Sequence, residues 1–167
     1  MSTVFRNARL EDLPEILAIY ARARQFMKET GNPTQWGDTH PTEAAVREDI
    51  ALQRSYVCEI DGQVEGVFML AAGRDPTYEI IEDGAWHSDA PYHTIHRIAS
   101  SGRVNGVFSL CVDWCYETRG YLRIDTHHNN KVMQHLIAKK GFVRCGIIYQ
   151  PDGSPRIAYE KFSDLSN

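Results

Sequence analysis

Apolar positions recur with two periods along this chain, and the switches between them lay out its elements. Val4 to Ala8 reads as a short opening strand. Leu13, Ile16, Leu17, Tyr20, Ala23 and Met27 then recur at three- and four-residue steps, the spacing of one helix face. Pro14 in the first turn, with Asp12 followed three residues later by Glu15, predicts a capped helix start. Gly31, Asn32 and Pro33 end that helix. Asn32 to Pro41 is rich in turn formers and reads as a loop. Thr42 then has the chemistry of an N-cap for a second helix, whose apolar positions Ala45, Val46, Ile50 and Leu52 would share a buried face.

Strand character takes over at Tyr56 to Ile60 and Val64 to Ala72, two β-rich runs around Asp61-Gly62, a dipeptide suited to a tight hairpin. Gly73 to Pro91 follows neither period and reads as an irregular excursion of the kind that faces a substrate. Tyr92 to Ser100 is the fourth strand. A helix from Asn105 to Arg119 follows, apolar at Val107, Leu110, Cys111, Trp114 and Cys115 and stopped by Gly120. Leu122 to Thr126 is the fifth strand. Asn130 to Lys140 is the last helix, with Met133, Leu136 and Ile137 inward and Gly141 at its end. Phe142 to Tyr149 and Arg156 to Phe162, around Pro151-Asp152-Gly153, make a closing antiparallel pair. A βαα start followed by ββ-α-β-α-ββ defines an α+β (mixed α/β) fold: a central mixed, mostly antiparallel sheet flanked by about four helices. No repeat or linker divides it, so residues 1–167 are read as one domain.

Composition narrows the function classes. Hydrophobic residues are 43% and charged residues 24%, as in an ordinary globular domain, which excludes fibrous and disordered classes. Eighteen Lys plus Arg against 22 Asp plus Glu give a net charge of −4. That balance argues against nucleic acid or an anionic membrane as partner and suits a cationic small one. Cys58, Cys111, Cys115 and Cys145 are too few and too widely spaced for a disulfide framework and read as reduced, buried thiols. Cys111 and Cys115 share a helix face, but nothing nearby completes a zinc set, so no metal is expected. The charged N-terminal residues and the lack of a long apolar run predict a cytoplasmic protein.

The stretch carrying most chemistry is IHRIASSGRVNGVF, where the fourth strand runs into a helix through Arg103-Val104-Asn105-Gly106. Unpaired amides at such a helix start, with the helix dipole behind them, form an anion site, and Gly102 and Gly106 admit a phosphate close to the backbone. A glycine-rich helix start of purely structural meaning reads the same way.

The element order, the Arg-x-x-Gly turn after the fourth strand, and the stretch from Asp125-Thr126-His127 through Asn130 to Lys140-Gly141-Phe142 together resemble the GNAT superfamily of acetyl-CoA-dependent N-acetyltransferases, over essentially the whole chain. The resemblance implies a splay between strands 4 and 5, with the pantetheine arm of acetyl-CoA lying in the gap. It implies contact of that arm with the main chain at Ile98, Ala99 and Ser100. The pyrophosphate would rest on Arg103, Val104, Asn105, Gly106, Val107 and Phe108, and Asn130 would face the cofactor near its thiol end. Two positions depart from the family: Phe108 stands where a small residue ends the turn, and Ile137 where a tyrosine acid is frequent.

Acetyl transfer needs a neutral amine at the thioester carbon, a donor for the developing oxyanion and routes for protons. The resemblance makes the oxyanion donor a main-chain N–H near Ile98 or Ala99. His96, on the fourth strand, is the candidate base; a surface or core histidine is its bland alternative. His127, at the end of the fifth strand, is a candidate acid or a turn residue bonding local backbone. Tyr149 offers a phenol in place of the missing tyrosine, or simple packing, and Asp125 either orients an imidazole or pairs with Arg123.

For the acceptor, Gln35, Trp36 and Asp38 come from the loop between the first helices, and Glu79, Glu82, Asp83, Trp86 and Tyr92 from the later excursion. Acids with aromatic rings suit an ammonium group, which makes Trp36, Glu82, Trp86 and Tyr92 the candidate substrate contacts. The expected partner is a small-molecule or peptide amine, and the edge strands of the C-terminal hairpin offer a surface for a homodimer. The alternatives are a non-catalytic acyl-CoA-binding sensor on the same fold, a thioesterase or acyltransferase using one of the cysteines, and an unrelated small α/β binding module.

Overall fold

A computed structural model describes residues 2–163. The elements are β1 (Thr3–Asn7), α1 (Leu13–Glu29), α2 (Glu43–Ala51), β2 (Ser55–Ile60), β3 (Gln63–Ala72), β4 (His93–Ser100), α3 (Val107–Arg119), β5 (Tyr121–Thr126), α4 (Lys131–Lys139), β6 (Val143–Tyr149) and β7 (Pro155–Phe162), with 3₁₀ turns at Leu10–Asp12 and Pro76–Tyr78. The seven strands form one sheet in the order β1-β2-β3-β4-β5-β7-β6. Every neighbouring pair is antiparallel except β4 and β5, which run parallel and pair only at His93 with Leu122 and Thr94 with Arg123. From Ile95 onward β4 continues along β3 with no β5 residue beside it, and this parting is the splay.

Strand alternation divides the core. Cys58 and Phe68 pack with Val107, Cys111 and Cys115 of α3 and Ile137 of α4, while their neighbours Val57 and Val67 pack with Ile16, Ile19 and Tyr20 of α1 and Val46 of α2. Successive side chains of β2 and β3 thus serve opposite faces of the sheet. A third cluster joins Tyr78, Tyr92, Tyr121, Ile148 and Ala158 beneath the 73–92 excursion.

Several expectations shift. Thr42 caps α2 as its sequence predicts, its Oγ1 accepting the Ala45 N–H at 3.1 Å. Leu52, expected on the buried face, lies past the last turn of α2 and is 56% exposed. Asp12 makes no capping box with Glu15, because its carboxylate accepts from the Arg9 N–H at 2.7 Å and from the Arg6 guanidinium at 2.8 and 2.9 Å. Helix α3 begins at Val107 rather than Asn105, since Gly106 takes a left-handed φ of 80° and serves as N-cap. Asn130 stands just outside α4, its Oδ1 accepting the Met133 N–H at 3.0 Å. No helix among the described residues is long and apolar enough to cross a membrane.

Candidate active site

The bulge in β4 sets the geometry. Val67 pairs with Ala99 and Met69 with His96, so Arg97 and Ile98 together face the single residue Phe68. The extra residue bends the strand and leaves part of the ladder unpaired. Arg97 has φ of 53°, a costly conformation for a side-chain-bearing residue. Its carbonyl accepts the Tyr20 hydroxyl at 2.8 Å, and its guanidinium makes two hydrogen bonds to the buried carboxylate of Asp49.

Two hollows meet at this bulge. One, of about 210 Å³, is a largely apolar groove between Phe26 of α1, Ile98–Ser100 of β4, Val107, Phe108 and Cys111 of α3, and Met133 and Leu136 of α4. The other, of about 530 Å³, is more polar than the groove and includes Trp36, Asp75, His96, Asp125 and Arg156. Met27, Ile98, Asn130 and Met133 line both, so the two adjoin at the parted strands.

The groove runs toward the start of α3. That helix has no side-chain cap, and its first amides have no intrahelical acceptor. A Cβ on Gly106 would meet nothing within 4 Å, so the approach there is open. The Arg103 side chain turns away from this corner: its Nε donates to Glu65 Oε1 at 2.9 Å and its Nη2 to the Val64 carbonyl at 3.1 Å, pinning the turn to β3. Ser101 Oγ accepts the Arg103 N–H at 3.1 Å. Arg22 of α1 supplies the nearby cation, its Nη1 donating to the Ser100 carbonyl at 3.3 Å and its guanidinium lying over Gly102, where a Cβ would come within 2.1 Å of it. Phe108 packs its ring against the core beneath α3 and along the groove, so it adds apolar wall.

In the larger cavity His96 Nε2 lies 2.8 Å from Asp75 Oδ2. The other oxygen, Oδ1, accepts from Thr77 N–H at 2.9 Å and Thr77 Oγ1 at 2.7 Å, which fixes the carboxylate. Burial opposes ionisation of Asp75, but the His96 and Thr77 hydrogen bonds outweigh it and hold the carboxyl down at about 2. An ionised Asp75 accepts, so Nε2 of a neutral His96 carries the hydrogen and Nδ1 the lone pair. Asp125 Oδ2 stands 4.0 Å from that Nδ1 and accepts the Tyr78 O–H at 2.6 Å. Burial pushes the Tyr78 phenol well above its ordinary range, so it keeps the proton it donates. Trp36 lines the cavity, edge-on to Tyr20 and to His40, whose ring burial holds below the usual histidine range.

Other candidates lie elsewhere. His127 lines neither hollow: its Nδ1 accepts the Asn129 N–H at 3.0 Å and its ring stacks on His128. It is the turn residue of the bland reading, because the chain reverses there between β5 and α4. Tyr149 sits on the edge strand β6 and donates to Glu82 Oε2 at 2.9 Å, so neither reaches the cavity. Trp86 and Tyr92 do surround a cation, but it is the chain's own: Arg123 lies 3.9 Å from each ring centroid. Arg123 therefore does not pair with Asp125. Asp38 pairs with Lys28, Glu79 with Arg74 and Asp83 with Arg144. Asn130 and Gln35 do line the cavity, joined by Asn130 Nδ2 donating to Gln35 Oε1 at 3.1 Å. Ile137 is fully buried in the core. All four cysteines are buried, and burial pushes Cys115 and Cys145 up to about 12, so neither of those two offers the reactive thiolate that a cysteine nucleophile needs.

Sequence reasoning missed Asp75, Thr126, Arg156 and Arg22. Asp75-Pro76-Thr77 carries a short-range cap signal, but nothing in the order of residues shows that its second oxygen meets His96. Thr126 is fully buried on the cavity wall and its Oγ1 has no partner.

No family model matches the chain, and no curated protein does. Solved structures do. A GNAT-family acetyltransferase from Streptococcus agalactiae 2603 is 30% identical, with 97% of this chain and 96% of that one covered at a TM-score of 0.89. An acetyltransferase from Staphylococcus aureus Mu50 is 25% identical, with 95% and 98% covered at a TM-score of 0.67. AAC(6')-Ib, solved with ribostamycin and coenzyme A, shares the fold at 19% identity and a TM-score of 0.63 over 97% and 94%. This chain shares its overall fold with these proteins, and it belongs to the GNAT family of acetyltransferases.

Proposed function

We propose that the protein transfers an acetyl group from acetyl-CoA to a primary amine by direct attack in a ternary complex, with no acetylated enzyme. The observation that carries this reading is that the two hollows adjoin at the β4 bulge, with Ile98 lining both. The apolar groove fits the pantetheine arm, beside the main chain of Ile98, Ala99 and Ser100 on the edge of β4 that no β5 residue covers. The amides of Val104 to Phe108 and the Arg22 guanidinium fit the diphosphate. When bound, acetyl-CoA supplies an acyl group activated as a thioester.

The chain's own residues do the rest. Arg97, held by Asp49 and Tyr20, keeps the bulge bent so that main-chain N–H near Ile98 can stabilise the oxyanion, a contribution of position rather than of any side chain. Asp75 fixes the His96 tautomer, and His96 Nδ1 takes a proton from the incoming amine. Asp125, steadied by Tyr78, draws the ammonium form of the acceptor into the cavity. A second reading, an acyl-CoA sensor without turnover, draws on Ile137, which offers no acid where the family often has a phenol.

Thiol release from acetyl-CoA, measured over a panel of polyamines, amino acids and peptides with free N-termini, tests the proposal. We expect turnover on a subset. His96→Gln should lower kcat/KM by about 10²–10⁴ while leaving acetyl-CoA affinity within about twofold. Binding of acetyl-CoA with no turnover on any amine would favour the sensor, and absence of binding would remove both readings.

A further inference from the structure

Away from the acetyl-transfer site, three donor atoms from distant parts of the chain converge. His87 lies in the 73–92 excursion, Cys145 in β6 and Glu160 in β7, and Nδ1, Sγ and a carboxylate oxygen all lie within 4.8 Å of one another. Among the described residues no other trio of this kind occurs. Cys145 Sγ is 3.7 Å from His87 Nδ1. An ion with bonds of roughly 2.3 Å to sulfur and 2.1 Å to nitrogen at a tetrahedral angle sets those two atoms about 3.6 Å apart, so this edge is already in place. His87 Nδ1 also contacts Glu160 Oε2 directly, and a small outward movement of the half-exposed imidazole makes room for an ion between them.

The surroundings hold the donors in position. Glu160 is buried; its Oε1 accepts the Tyr121 hydroxyl at 2.7 Å and its Oε2 the His87 main-chain N–H at 3.0 Å, which holds Oε2 toward the cluster; metal-binding carboxylates are oriented in the same manner by outer hydrogen bonds. The excursion cannot drift away, because Glu82 and Ile147 exchange main-chain hydrogen bonds of 2.9 and 2.7 Å. The exposed side of His87 leaves a fourth position open to water. None of the three residues lines the acceptor cavity.

We propose that His87, Cys145 and Glu160 form a binding site for a divalent transition metal ion of zinc type, with three protein ligands and one open position. Thiolate with imidazole selects zinc or cobalt over magnesium and calcium, which prefer oxygen. On binding, the Cys145 S–H bond is replaced by a sulfur–metal bond and that proton leaves to solvent, while His87 takes the tautomer with its hydrogen on Nε2 so that Nδ1 offers its lone pair, with no change of oxidation state. The ion ties the excursion that carries Asp75 and Tyr78 to β6 and β7.

The test titrates reduced, chelator-treated protein with Co²⁺ and follows the thiolate-to-cobalt charge-transfer absorption. The expected result is saturation at one ion per chain, displacement by Zn²⁺ and no competition from Mg²⁺. Cys145→Ala should abolish the band, Cys111→Ala should leave it intact, and His87→Ala, at a half-exposed position, should weaken binding at least tenfold, since loss of even an outer-shell partner costs about 10–100-fold. Absence of the band, its survival in Cys145→Ala, or unchanged affinity in His87→Ala would overturn the proposal.

Discussion

Arg97 and Asp49 are joined by two hydrogen bonds of 2.9 Å, Nε to Oδ2 and Nη2 to Oδ1, and the same carboxylate takes the Nε of Arg54 at 2.8 Å. Asp49 is 2% exposed and sits in α2, so a helix remote in sequence braces the one residue of β4 with a left-handed φ. Removing one partner of such a pair leaves uncompensated charge. Asp49→Asn should therefore destabilise the fold by about 3 kcal/mol in urea denaturation, and should lower kcat for acetyl transfer more than it raises KM for acetyl-CoA.

The Asp75 carboxyl, held at about 2 against an ordinary 3.8, makes stability depend on pH. A depressed folded pKa contributes stability that is present above the unfolded value and lost as pH falls through the folded one. Comparison of the protein with Asp75→Asn should show a difference of about 2 kcal/mol at pH 6 that shrinks between pH 4 and pH 2. A difference that grows on acidification would contradict the assigned hydrogen-bond network.

Arg123 is clasped between Trp86 and Tyr92, and its Nη2 also donates to the Ser88 carbonyl at 2.9 Å. Arg123→Ala removes cation–π contacts with Trp86, Tyr92 and Tyr121 and hydrogen bonds to Tyr121 and Ser88, for an expected loss of about 3 kcal/mol by chemical denaturation. Arg123→Lys keeps the charge without the planar fork and should recover less than half of that.

Gly84 has φ of 150°, and a Cβ there would fall 1.9 Å from the Cys145 carbonyl oxygen. Gly84→Ala must break the approach of the excursion to β6. A fall in thermal midpoint of several degrees, with early proteolytic cleavage inside 73–92, is the expected outcome.

The element order was legible because it rests on periodicity, which local residues encode: Thr42 caps, Asp61-Gly62 turns and Gly120 stops. The parting of β4 from β5 came only through family resemblance, since no residue type announces where pairing ceases. The bulge was illegible for a related reason, as Arg97 rather than glycine carries the positive φ, held by contacts 48 and 77 residues away. Trp86 and Tyr92 were read as a cage for a cation, and the chemistry holds, but the order of residues does not say whether the cation is a guest or Arg123. His96 was legible as a histidine on the right strand; its partner Asp75, 21 residues away, was not.

At the parted strands the chain exposes peptide groups, which every residue possesses. Point substitution cannot delete such a feature; only a change that closes the sheet can. The enclosure around the acceptor, by contrast, is built of individual side chains, each replaceable alone. On the proposed function, a single substitution in that enclosure would alter the choice of amine without touching the parting of the strands.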